Sequence, residues 1–423
     1  MIIQSQLATD YFTQISHALM QAGAHRPTLV VDKQRLDENL DALLKVIQTG
    51  FDYRIVAKSL PSVPLLEYIM QRSGSNRLMS FHLPFLLHVV EHLPHADILL
   101  GKPMPVAAAR QFYQWHGSIE SSPFNPEKQL HWLVDSIERL QQYQDLAKDL
   151  NCSLNINLEL DVGLHRGGFS HEQPQQLEQA LQILKSDKRL QLTGLMGYEA
   201  HASKIPKLIG GTDKAFQLAM AAYQACFNQV VEVFGQSFCD SLILNAGGSS
   251  TYPLYNKSDK ATDFITEIAT ASALVKPTDF DVHTLEHHQP ACFIAAPVLK
   301  LIHKPEIPML KGISKLMHKV GLLPKKACFI YGGNWLACPC FPEQAKRSNL
   351  LGHSSNQEMY ELKDDSPIDM DDYLFFRPSQ SEAVFLQFGE IAVYDEGSII
   401  DWWSIFHPES TTAVEKNNYK ETA

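Results

Sequence analysis

Residues 53–100 read YRIVAKSLPSVPLLEYIMQRSGSNRLMSFHLPFLLHVVEHLPHADILL. Three short apolar runs, Tyr53–Ala57, Arg77–Phe81 and Asp97–Leu100, alternate with two segments of helical spacing, Ser62–Ser73 and Leu83–His92. Runs of this length suit strands rather than helices, and their lack of polar alternation predicts strands buried on both faces. Strand, helix, strand in this rhythm is the βαβ unit of a parallel sheet. The rhythm continues through the helix Pro105–Trp115 and the runs His131–Asp135, Asn155–Leu160, Leu192–Tyr198, Leu242–Asn245 and Thr266–Leu274. Eight such strands within about 250 residues predict an α/β protein built on a (β/α)8 TIM barrel. An open doubly wound sheet has the same periodicity, so the pattern alone leaves it as the alternative.

Upstream, residues 1–25 are helical in pattern, with Leu7, Phe12, Ile15 and Leu19 on one face and Pro27 just beyond. A short strand, Thr28–Asp32, and an amphipathic helix from Gln34 to Ile47 follow. Downstream of Pro290 the texture changes. Ala291–Lys300, Ala327–Tyr331, Tyr373–Arg377, Ala383–Phe388, Ile391–Tyr394 and Ser398–Trp403 are strand-like and are separated by Gly, Pro and Asp-rich turns. This predicts a smaller, mainly antiparallel β-domain. The expected divisions are an N-terminal helical segment at 1–25, the barrel at 26–285, the β-domain at 286–410 and a frayed tail at 411–423. Segment 302–326 carries Lys304, Lys311, Lys315, Lys319, Lys325 and Lys326, and reads as a solvated helical excursion.

The formal net charge of −11 disfavours general binding to nucleic acid or to a membrane surface, both of which are anionic. No apolar run is long enough to span a bilayer, and no basic region followed by an apolar core marks a signal peptide. The seven cysteines are scattered, with only Cys338 and Cys340 close together, so reduced thiols are expected rather than a zinc site. These features predict a cytoplasmic protein.

In a barrel, chemistry gathers at the carboxyl ends of the strands. Lys58 directly follows the first run, where a partly apolar setting suits an amine that attacks a carbonyl. Arg166 follows the fifth run among Gly163, Gly167 and Gly168, and a guanidinium there suits an oxyanion, although an ion pair with Asp161 or Glu159 is the plainer reading. Tyr198 and His201 follow the sixth run and are able to stack on a flat cofactor or hydrogen-bond to it. After the seventh run comes Asn245-Ala-Gly247-Gly248-Ser249-Ser250-Thr251, two glycines and three hydroxyls that suit a phosphate, at the strand order where barrels favour one. A carbonyl-seeking lysine, a phosphate cradle, an aromatic/His pair and an arginine together match the needs of pyridoxal 5'-phosphate (PLP).

These motifs resemble the alanine racemase-type (fold type III) PLP enzymes, and within them the D-threonine aldolase/D-serine dehydratase branch. The resemblance rests on Arg26–Asp32, Asp37–Leu40, Val56-Ala-Lys58, Asp161-Val-Gly-Leu-His-Arg-Gly167, Gly197-Tyr-Glu-Ala-His201 and Gly247–Thr251, and extends over about residues 26–405. It implies a PLP barrel with a C-terminal β-domain, acting as a homodimer on an amino acid. It implies further that Lys58 carries the cofactor, that Arg166 faces its phenolic oxygen, that His201 lies near its ring, and that Gly248, Ser249 and Ser250 hold its phosphate.

The substrate end departs from the family pattern. Members of the branch bind a divalent metal through a C-terminal Pro-Asn-His-x-Cys or His-x-Asp motif. Here the matching stretch is Arg377-Pro-Ser-Gln380-Ser-Glu382, with Gln where the His stands. A neutral, hard amide oxygen is a poor zinc ligand, so the expectation is a lost zinc site, with a Gln/Glu pair still able to hold Mg²⁺, Mn²⁺ or Ca²⁺ weakly. Arg377, Gln380 and Glu382 then become candidate substrate contacts, as does His165, which replaces the family's Asn before Arg166. The function implied is a lyase acting on a D-amino acid by β-elimination and deamination or by retro-aldol cleavage. A metal-free amino acid racemase is the alternative.

Overall fold

The computed structural model describes residues 2–307, 311–320 and 323–406. The tail expected at 411–423 lies outside the described residues. The chain forms two compact units. One holds the chain up to Asn39, residues 274–281 and residues 288–405, and the other holds residues 40–273 and 282–287 with Phe406.

The first strand, β1 (Thr28–Asp32), is followed by eight that close into a parallel barrel: β2 (Asp52–Val56), β3 (Arg77–Ser80), β4 (Asp97–Leu100), β5 (Leu130–Val134), β6 (Leu154–Leu160), β7 (Leu190–Gly197), β8 (Ile243–Ala246) and β9 (Glu267–Thr270). Their order is that of the sequence, and β9 pairs with β2 in register Tyr53 to Ile268, which closes the ring. The open-sheet alternative is thereby excluded. Every residue of β5 and β6 is buried, the polar His131, Asn155, Asn157 and Glu159 included, as expected of parallel strands covered on both faces.

The barrel interior also carries charge. Arg54 is wholly buried; its Nε donates to Glu267 Oε1 at 2.5 Å and its Nη2 to Asp97 Oδ1 at 2.7 Å. Arg77 donates to the second oxygen of Glu267 at 2.8 Å, and His131 Nε2 lies 3.1 Å from Asp97 Oδ2. Burial alone would raise the pKa values of Asp97 and Glu267, but their partners outweigh it and hold both carboxyls below the ordinary range. Asn245 belongs to this network, since its Nδ2 donates to Glu267 Oε1 at 2.7 Å.

The other unit is built on a mainly antiparallel sheet of β1 with β10 (Cys292–His303), β11 (Lys326–Tyr331), β12 (Ala337–Phe341), β13 (Lys346–Arg347), β14 (Gln357–Leu362), β15 (Tyr373–Pro378), β16 (Glu390–Asp395) and β17 (Ser398–Ser404). The β1 strand pairs antiparallel with β10 and parallel with β16, so Thr28–Asp32 belongs to this sheet although its sequence reads as the lead-in to the barrel. A buried five-residue run does not encode which sheet it joins.

Two readings of this region need correction. The strand-like Ala383–Phe388 is in fact the short helix Ser381–Phe385 with an irregular continuation, because Ser381, Val384 and Phe385 bury one helical stripe. Segment 302–326 holds the helix Lys311–Lys319, yet Lys326 is not a solvated charge: it is buried, and its Nζ donates to the carbonyls of Ser366 and Ile368 at 2.8 and 2.9 Å.

Candidate functional site

Lys58 lies in the turn Ala57–Ser59 immediately after β2, half-buried, with its Nζ 4.6 Å from the centre of the Phe81 ring. Phe81 follows β3 and is seated against Gly101 beyond β4. A Cβ at Gly101 would fall 2.3 Å from that ring, so only glycine leaves Phe81 its place beside the lysine. An aromatic face against the alkyl stem and amine provides the partly apolar setting that suits a nucleophilic lysine.

After β6 the chain turns sharply through Gly163, Gly167 and Gly168, whose φ angles are +105°, +119° and +98°. Asp161 organises the turn, its Oδ1 accepting from the amides of Gly163 and His165 at 3.0 Å each. Burial disfavours its charge, but these amides and the His165 ring outweigh that and hold its carboxyl below the ordinary range. His165 itself points outward, 78% exposed and paired to Asp161 at 3.0 Å, so its ring is committed to the turn. Arg166 pairs with Glu159 at 3.2 Å, and its guanidinium carbon lies 4.8 Å from the centre of the Tyr198 ring. Glu159 is buried, and burial raises its pKa despite the arginine. The ion pair and the stacking are both present, and Arg166 stays 43% exposed toward solvent.

Tyr198 and His201 follow β7. Tyr198 lies against Gly248, where a Cβ would come within 2.8 Å of Cε2. The His201 imidazole sits over Gly163, with Nε2 3.3 Å from where a Cβ would stand. Its Nδ1 is buried and has no hydrogen-bond partner. Burial, and then His165, lower its pKa against Asp161, which favours a neutral imidazole.

The Gly247–Thr251 loop after β8 is nearly sealed from solvent. Two of its three hydroxyls, however, are used internally. Ser249 Oγ is 2.8 Å from Thr270 Oγ1 and accepts from the amide of Ala273, while Thr251 Oγ1 donates to Glu199 Oε1 at 2.5 Å. The main chain and the Ser250 hydroxyl are what remain for a ligand. Among the described residues none accepts a hydrogen bond from the amides of Gly248, Ser249 or Ser250. Three successive buried N–H groups in such a state form an anion-binding concavity.

Glu199, unremarked in the sequence, shapes this loop. It is fully buried and grips both ends: Oε2 accepts from the Gly247 amide at 3.3 Å and Oε1 from Thr251. Burial raises its pKa over the opposing effect of these donors. The only signal was its place between Tyr198 and His201, and a carboxyl there is indistinguishable in sequence from a solvated one.

Residues 31–265 match the family model described as alanine racemase, N-terminal domain, over more than half the chain. The chain belongs to this family. The family is PLP-dependent, and the residues at these strand ends fit that cofactor: a lysine in a partly apolar setting, unsatisfied buried amides for a phosphate, and a neutral imidazole with an orphan nitrogen. D-threo-3-hydroxyaspartate dehydratase from Delftia sp. HT23 superposes with a TM-score of 0.67 at 16% identity, covering 90% of this chain and 97% of that one. D-threonine aldolase from Filomicrobium marinum gives 0.68 at 12% identity, covering 91% and 96%. Alanine racemase from Clostridium difficile gives 0.62 at 12%, covering 89% and 98%. At these identities the likeness is one of fold. No curated protein sequence is significantly similar to the chain.

The three candidates near the C-terminus lie in the sheet-bearing unit. Arg377 already holds a carboxylate: its Nη1 and Nη2 donate to Asp281 at 3.0 and 2.8 Å, and Nη2 also donates to the Lys276 carbonyl. Gln380 Nε2 donates to Asp279 at 3.0 Å, and Ser381 Oγ donates to Glu382 at 3.4 Å. No helix among the described residues is long and apolar enough to cross a membrane.

Proposed function

We propose that the chain is a PLP-dependent lyase acting on a D-amino acid, by β-elimination with deamination or by retro-aldol cleavage. The observation that carries the cofactor assignment is the run of three buried, acceptor-less amides at Gly248–Ser250, held open by Glu199. They bind a phosphate through the main chain, which gives Ser249 and Thr251 a supporting rather than a direct part. Asn245 likewise supports, from its bond to Glu267. PLP, when bound, serves as the electron sink for the substrate's α-carbon. Lys58 carries the cofactor, and its freed amine takes the α-proton onto Nζ. When PLP is bound, Arg166 would face its phenolic oxygen, and Tyr198 and the neutral His201 would flank its ring.

The choice of lyase and of D configuration rests on the dehydratase and aldolase among the structural relatives, and on the fold they share with this chain. Gln380 and Glu382 offer hard oxygen donors, a set unsuited to zinc, and Arg377 presents its guanidinium fork to carboxylates, currently that of Asp281. We read the protein as a homodimer of the cytoplasm.

The test is borohydride reduction of the PLP-loaded protein followed by peptide mapping, together with a screen of D- and L-amino acids with and without Mg²⁺, Mn²⁺ and Zn²⁺. The expected result is a pyridoxyl group on Lys58, none in Lys58→Ala, and keto acid or aldehyde from a D-amino acid. A label elsewhere refutes the cofactor assignment. Exchange of the α-hydrogen with solvent deuterium without breakdown of substrate refutes the lyase in favour of a racemase.

A further inference from the structure

The helix Leu83–His92 follows β3 on the barrel's exterior. Leu86, Leu87, Val89 and Val90 fill its buried face. That leaves His88, Glu91 and His92 together on the outward stripe, at i, i+3 and i+4, the spacing that stacks side chains on one side of a helix. One ligand atom from each lies within 4.8 Å of the other two.

We infer that His88, Glu91 and His92 form a surface site for a divalent transition metal of the zinc class. The donor set, two imidazoles and a carboxylate, is one that zinc takes readily, and three protein ligands leave a fourth position for water. Around a tetrahedral ion with bonds of about 2.0–2.1 Å, ligand atoms sit about 3.3 Å apart, so small rotations of three surface side chains close the cluster.

Two further features favour a cation here. The His92 Nδ1 is 2.9 Å from the His88 carbonyl, which only accepts, so Nδ1 is the donor there and Nε2 is the nitrogen left to ligate. This is the outer hydrogen bond that orients metal-binding histidines. Glu91 and His92 also lie in the last turn of their helix, where the macrodipole is negative. The two rings already touch, their centres 4.2 Å apart.

The His88 ring also contacts Phe406 at 4.7 Å, so the ion would stiffen the patch where Phe406 docks through its amide to the Pro61 carbonyl. The site is separate from Lys58. Phe81, beside the lysine, precedes the helix, and the cluster begins about 7–8 Å of helix rise beyond Leu83.

The test is calorimetric titration of tag-free, PLP-saturated protein with Zn²⁺ at neutral pH, repeated with Mg²⁺. The expected result is one saturable Zn²⁺ site per chain, untouched by Mg²⁺, weakened at least tenfold in His88→Asn/His92→Asn and less in Glu91→Gln. Because a ligating imidazole must be neutral, binding also weakens on acidification. Thermal unfolding of the double variant without metal matches that of the wild type, and only the wild type gains stability from Zn²⁺. Absence of a saturable site, or equal binding by the double variant, overturns the assignment. Neither outcome bears on Lys58 or on PLP.

Discussion

Replacing Glu199 tests whether the phosphate cradle is built by a buried carboxyl. In Glu199→Ala, the Thr251 hydroxyl and the Gly247 amide both lose their acceptor inside a sealed loop. A buried donor left unsatisfied costs about 1–3 kcal/mol, so the pair costs about 2–6 kcal/mol, partly offset by no longer burying a carboxyl. The consequence for binding follows from the same loosening. If two loop residues must be re-ordered each time the cradle fills, at about 1–2 kcal/mol each, affinity falls by about 2–4 kcal/mol, or about 30- to 900-fold. Urea denaturation of the cofactor-free protein reads the first quantity, and fluorescence titration with PLP, with inorganic phosphate as competitor, reads the second. Glu199→Gln is the control, since its oxygen still accepts from Thr251 while its NH₂ faces the Gly247 N–H, and an intermediate effect is expected. The pH dependence has a definite sign. Burial raises the folded pKa of Glu199, so its stabilising contribution is full below the ordinary carboxyl value of ~4.3 and is lost as pH rises through the raised one. Wild type should therefore lose stability relative to Glu199→Gln as pH rises across that window. Glu199→Ala binding PLP and phosphate as tightly as wild type would refute the reasoning, because the carboxyl would then be a structural group with no part in the cradle.

Gly248→Ala should weaken PLP binding at least tenfold by fluorescence titration, since the new Cβ would sit 2.8 Å from Tyr198 and must displace the ring that stacks on Arg166, an overpacking worth about 1–3 kcal/mol. Glu267→Gln, deep in the barrel, should destabilise by about 3–5 kcal/mol in urea, because it strips the buried Arg54 and its neighbour Arg77 of their shared carboxylate. The lowered pKa values of Glu267 and Asp97 give wild type stability that is present above the unfolded carboxylate range of ~4 and lost as pH falls, and Glu267→Gln should lose less of it in acid.

The barrel's strand positions and the order of the site residues were readable along the chain, because short runs alternating with helical segments mark parallel strands and barrel chemistry follows their carboxyl ends. Lys58, Arg166, Tyr198, His201 and the Gly247–Thr251 loop all fall at such ends. The sequence by itself thus determined the alternating strand–helix core, the sheet-bearing region and the composition of the rim. Tertiary structure decided that the parallel strands close into a ring rather than an open sheet, and what each polar group is bonded to. The Ser249 and Thr251 hydroxyls that suit a phosphate turn out to be held by Thr270, Ala273 and Glu199, which leaves the Ser250 hydroxyl and main-chain amides, donors that no motif displays. Asn245 and Arg377 look like ligand contacts in the sequence, but their partners, Glu267 and Asp281, lie 22 and 96 residues away along the chain. Strand β1 reads the same whichever sheet it joins. Periodicity reports which face of an element is buried. A hydrogen-bond partner distant in the chain leaves no periodic trace, and only the folded structure names it.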